Sequence, residues 1–99
     1  MIRHTVVFSL KHAPGSPEEA GFLAAARELA KIPTVKEFQA LRQVSKKTPY
    51  AFGLSMEFDD QAAYDVYNRH PDHVAFVRKR WLHEVDTFME IDYAPLEAF

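Results

Sequence analysis

The chain contains no cysteine, a single tryptophan and three glycines in 99 residues. The missing cysteine removes any disulfide framework, thiolate metal site or thiol nucleophile. Three scattered glycines exclude a glycine-rich phosphate loop, and no serine sits in a nucleophile elbow. No apolar run approaches the roughly 18 residues of a membrane-spanning helix, so no membrane partner is expected. The opening MIRHTVVFSLKHAPG lacks the charged region, apolar run and cleavage site of a secretory leader and reads as a strand; the expected compartment is the cytoplasm. Positive charge is also in short supply. The net charge is −2 and the pI is about 6.2, against the strongly basic face that a nucleic-acid partner requires.

What remains is the composition of a folded domain, 47% hydrophobic, 26% charged and 13% aromatic, well away from the disordered class. The length fits one domain over residues 1–99. A chain of this size buries somewhere near two-thirds of its unfolded surface, so association would add stability that its own core lacks.

Ile2–Leu10 alternates, with Ile2, His4, Val6, Phe8 and Leu10 on one face, which predicts a strand that turns His4 toward the core. Ser16 is placed to cap a helix that starts with Pro17 and carries Glu18 and Glu19 at its positive end. Phe22, Leu23, Ala26, Leu29 and Ala30 form its apolar stripe to about Lys31, and Pro33 ends it. Val35–Val44 predicts a second strand whose apolar residues, Val35, Phe38, Leu41 and Val44, alternate imperfectly, as at a bulge or an exposed edge. Tyr50–Phe58 is a third strand, with Tyr50, Phe52, Leu54, Met56 and Phe58 on one face and small residues on the other. Asp59 or Asp60 caps a helix to about Arg69, and His70-Pro71 breaks it. A further helix, about Pro71–His83, presents Val74, Val77, Trp81 and Leu82. Val85–Tyr93 reads as the fourth strand and Ala94–Phe99 as a tail.

The order βαββααβ is the α+β, ferredoxin-like pattern, a four-stranded antiparallel sheet with the second helix broken in two. Helices on one side leave the other sheet face open. Its residues, Val7, Ala51, Gly53 and Ser55 among them, are not a charged solvent surface, so two sheets are expected to pack face to face in a homodimer.

MIRHTVVFSLK, the segment YAFGLSMEFDDQAAYDVY and HPDHVAFV together resemble the stress-responsive dimeric α+β barrel (Dabb) family, in order and over nearly the whole chain. The resemblance implies a homodimer whose two sheets close a barrel. It also implies kinship with cofactor-free polyketide cyclases of the olivetolic acid cyclase kind, which use a histidine and a tyrosine in a pocket between sheet and helices. By motif match these are His73 and Tyr67, with His4 lining the pocket. The plant cyclase carries a further pocket histidine where this chain has Phe52.

Cyclisation of a poly-β-ketone requires removal of a proton from a carbon between two carbonyls. A neutral histidine suffices as base, and a tyrosine hydroxyl suits the oxygen that gains charge. On this reading His73 is the base, Tyr67 the oxyanion donor and His4 an orienting residue, with His70, Phe22, Phe52 and Trp81 around the substrate. No metal or cofactor is needed. The bland alternative makes His70 a helix cap, His73 and Tyr67 structural and His4 a satisfied core histidine, in a stress-responsive dimer with a structural or ligand-binding role. A cofactor-independent monooxygenase of similar architecture is a further alternative. The HxxH of His70 and His73 is a weak metal signal, since zinc wants three or four ligands and proline interrupts the helical face. RKRW at Arg78–Trp81 reads as a solvated face with Trp81 buried, and His12 and His83 as surface residues.

Overall fold

The computed structural model describes residues 1–97; the last two positions of the expected tail lie outside the described residues. Four strands, β1 (Ile2–Leu10), β2 (Lys36–Arg42), β3 (Phe52–Phe58) and β4 (Val85–Tyr93), form one antiparallel sheet in the order β2-β3-β1-β4. The helices are α1 (Pro17–Arg27), α2 (Gln61–Arg69), α3 (Pro71–Phe76) and a final turn α4 (Leu82–Glu84). Among the described residues no helix is long and apolar enough to cross a membrane.

The period-two pattern sets which sheet face is covered. His4, Val6 and Phe8 of β1 and Phe52, Leu54, Met56 and Phe58 of β3 are buried beneath the helices. Phe22, Ala26, Leu29, Tyr64, Tyr67, Phe76 and Trp81 descend on them from the other side. The core is largely aromatic. The Phe8 ring lies 5.7 Å from Phe22 and 5.1 Å from Trp81, while Phe58 stacks on Tyr64 at 5.0 Å. These offset and tilted arrangements suit the ring quadrupole.

Helix starts follow the capping residues. Ser16 accepts from the Glu19 amide and Asp60 from the Ala63 amide. His70 ends α2 in an extended conformation and caps α3, its Nδ1 accepting from the Asp72 amide at 3.1 Å.

Several elements depart from the sequence reading. The helix from Pro17 tightens to a 3₁₀ turn at Glu28–Lys31, which changes the phase of its stripe and leaves Ala30 exposed. In β2, Glu37 takes a φ of +50° and the register slips between Lys36 and Gln39, so a bulge spoils the alternation. Phe38 and Ala40 consequently pack on the core, while Leu41 faces outward and Val44 lies exposed beyond the strand. The helix from Pro71 is not continuous either. A π turn interrupts it at Val77–Trp81; Trp81 is buried, whereas Val74, before the turn, and Leu82, after it, are exposed. His12 is half-buried, not free at the surface: its Nε2 lies 2.7 Å from Glu84 Oε1, and the Arg80 guanidinium forms an ion pair with the same carboxylate.

The sheet face away from the helices carries Val7 on β1, Leu41 on β2 and Met89, Ile91 and Tyr93 on β4; the last four are exposed.

Candidate active site

Between β1, β3, β4 and the helices lies a cavity of about 290 Å³. Its walls are mainly apolar, with Val6, Leu29, Leu54, Met56, Phe76 and Trp81 among them. His4, Tyr67, His73, Asn68 and Glu90 supply the polar lining. The exposed residues Leu82, Phe88 and Glu90 mark its mouth.

His4 is delivered by alternation along β1 and is 7% exposed. Its Nδ1 lies 2.6 Å from Asp92 Oδ1 and 2.9 Å from the Tyr64 hydroxyl, which itself donates to Asp92 Oδ2 at 2.9 Å. A carboxylate partner requires Nδ1 to carry the proton, so the neutral ring keeps its lone pair on Nε2. Asp92 reaches His4 because the two are cross-strand partners in the β1–β4 register. The Tyr64 hydroxyl is pushed upward in pKa, first by burial and then by its bond to Asp92, and stays protonated.

The helix break places the other pair. Tyr67 hangs from the last turn of α2 and His73 from the first turn of α3, and their rings lie 4.3 Å apart. His73 Nδ1 sits 3.2 Å from the Asn68 carbonyl oxygen and donates to it, again leaving Nε2 as the acceptor. Burial lowers the His73 pKa below the ordinary histidine value, which keeps the ring neutral near pH 7. Tyr67 is 2% exposed, and burial, then the Glu90 carboxylate, push its pKa well up. Among the described residues nothing hydrogen-bonds the Tyr67 hydroxyl, so it remains a protonated donor without a protein acceptor.

The structure thus gathers His4, Tyr67, His73 and Trp81 at one cavity. It does not gather His70, Phe22 or Phe52 there. His70 is spent on the α3 cap. Phe22 is fully buried among Phe8, Phe76 and Trp81. Phe52 pairs with Phe8 at the far end of β3 from the His4 partner Met56, and Arg42 lies 5.2 Å over its ring. Tyr64, Asp92 and Glu90 belong to the site and escaped the sequence reading. Alternation along β4 puts Phe88, Glu90 and Asp92 on one face, but only the pairing of β4 with β1 places that face on the side of His4. Among the described residues no three His, Asp or Glu side chains group closely enough to hold a metal ion.

Chemically, two imidazoles with free Nε2 atoms and one phenol donor around an apolar space can move a proton and stabilise the oxygen that gains charge. Fold and site together define a ferredoxin-like α+β domain with a histidine–tyrosine cavity. The family model described as the stress responsive A/B barrel domain (Dabb) matches residues 2–95, and the chain belongs to that family. It is similar to a Dabb family protein with a ferredoxin-like fold from Mesorhizobium loti, at 62% identity over 96% of both chains and a TM-score of 0.94. A protein from Arabidopsis thaliana is 26% identical over 100% of this chain and 99% of its own, with a TM-score of 0.83. A dimeric ferredoxin-like protein of unknown function from Thermobifida fusca shares the fold at 22% identity, over 95% of this chain and 90% of its own, with a TM-score of 0.76. No curated protein matches the chain.

Proposed function

We propose that the protein is a homodimer whose cavity binds an apolar small molecule and transfers a proton to or from it without a cofactor. The observation that supports this most directly is the pairing of a free phenol donor with a half-buried imidazole on one apolar wall, 4.3 Å between rings. His73 Nε2 takes a proton from a carbon next to a carbonyl. The Tyr67 hydroxyl donates to the carbonyl oxygen as it becomes an enolate. His4, held by Asp92 and Tyr64, fixes the substrate or passes the proton on. A poly-β-ketone folded for ring closure meets these demands, and cyclisation of such a chain is the reaction favoured. Pairing of two copies is supported by the apolar residues on the uncovered sheet face and by the dimeric relative of the same fold.

The test is hydrogen–deuterium exchange at the α-carbon of a simple aryl ketone, followed by NMR in heavy water. Wild type is expected to accelerate exchange, with His73→Ala losing on the order of 10²-fold or more and Tyr67→Phe a comparable factor. Suppose instead that the ketone saturates the cavity, read from the emission of Trp81, while exchange stays at the buffer rate. The proton-transfer reading then fails and the protein is a ligand-binding dimer without chemistry of its own.

A further inference from the structure

We infer that the cavity selects its ligand by charge, taking an aromatic compound with an amine at one end and rejecting the corresponding carboxylate, with Glu90 as the specificity-determining residue. This rests on the binding cavity proposed above. Glu90 projects from β4 beside Val6 of β1 and lines the cavity at its mouth. Among the described residues no lysine or arginine lines that cavity, and no cation pairs with Glu90. Arg78 lines only the neighbouring shallow groove, with Val74. The other carboxylate near the cavity, Asp92, is committed to His4 and Tyr64.

A ligand anion would therefore meet one uncompensated carboxylate, a His73 imidazole whose charged form burial disfavours, and a phenol, while the one other imidazole, His4, is already held by the Asp92 carboxylate. An ammonium at the mouth would meet Glu90 together with aromatic rings. Phe88, two residues along β4 and 51% exposed, makes an edge contact with Trp81 at 5.5 Å. A carboxylate beside aromatic faces is the chemistry that receives an organic cation. The apolar depth formed by Leu29, Leu54 and Met56 receives the aromatic body.

The chain's single tryptophan lines this cavity and reports occupancy directly. The experiment titrates the full-length protein with three probes of one shape, 4-phenylbutylamine, 4-phenylbutan-1-ol and 4-phenylbutanoate, and follows Trp81 emission. The amine is expected to bind roughly tenfold or more tighter than the carboxylate, with the alcohol between, since unlike and like charges at a part-exposed site differ by about that factor. Glu90→Gln should collapse that ratio while leaving the alcohol's affinity in place. The alcohol also shows that the variant still folds around its cavity. Equal binding of amine and carboxylate, tighter binding of the carboxylate, or a ratio untouched by Glu90→Gln overturns the inference. If all three probes fail to bind, the binding cavity itself is refuted and the inference falls with it; if the alcohol binds and only the ratio is flat, charge selection alone is lost.

Discussion

Removing the Tyr64 hydroxyl probes how His4 is held. In Tyr64→Phe the ring remains stacked on Phe58, so the loss is confined to one oxygen that touches both Asp92 and His4. Hydrogen bonds to a charged group contribute about 1.5–3 kcal/mol, but the Asp92 side chain is 41% exposed, which brings the expected loss to about 1 kcal/mol. For a domain of this length that is a fall in Tm of roughly 4–8 °C. Asp92→Ala acts more severely. It removes the carboxylate from both His4 and Tyr64, leaving the Tyr64 hydroxyl, 2.9 Å away, as the remaining acceptor for the buried His4 Nδ1–H, and should cost about 2 kcal/mol. Once Asp92 is gone the Tyr64 hydroxyl has lost its own acceptor and is the remaining one for His4, so the two losses should depart from additivity by about 1 kcal/mol. Urea unfolding of all four proteins, at one protomer concentration because subunit association contributes to apparent stability, measures this coupling. Losses that add to within about 0.3 kcal/mol would mean that Tyr64, Asp92 and His4 do not act as a unit.

Two further outcomes follow from the structure. Because burial lowers the His73 pKa, the native protein keeps this ring neutral where the unfolded chain, with a pKa of about 6.5, takes up a proton. Stability contributed by the neutral ring is full above about pH 6.5 and is lost as the pH falls through the lowered native value; His73→Gln should flatten that part of the profile in thermal melts across pH 5–8 (roughly). On the uncovered sheet face, Ile91→Lys places a charge among Val7, Met89 and Tyr93. Light scattering at micromolar concentration should then show monomer where wild type shows dimer, and a wild-type monomer would defeat the pairing of sheets.

How much was legible in the sequence depended on how local the deciding physics was. The strands β1 and β3 alternate cleanly because each buries one face, and their inward residues were read correctly. Ser16, Asp60 and His70-Pro71 marked the helix boundaries through capping and through the conformation that proline imposes on its predecessor. Tyr67 and His73 were singled out by the resemblance to the Dabb family, and the break accounts for their two rings meeting. Three things did not follow. The π turn has no residue signature; Trp81 is buried as expected, but Leu82, read as part of the same apolar stripe, is turned outward. The bulge at Glu37 could be suspected from β2 but not placed. In β4 the apolar residues Met89, Ile91 and Tyr93 look like a core face, yet they point away from the helices, while Glu90 and Asp92 stand on the helix side. A register shift between Ser9 and Leu10 lets Val85 be buried all the same. Hydrophobicity alone assigns that strand the wrong way round, and Tyr64 and Asp92 become visible as partners of His4 only once the pairing of β1 with β4 is known.

The π turn also has an arithmetic side. It holds one residue more than α geometry would use over the same span, and each residue of an α-helix is worth about 100° of rotation. The direction in which Trp81 points is thus fixed by how many residues separate it from Pro71, not by which residues they are. Chain length in this segment becomes a determinant of cavity shape: Arg78 and Lys79 are exposed and stand outside the cavity wall, so their side chains can vary, whereas the loss of either residue would turn the indole away from the wall and alter the room available to a ligand.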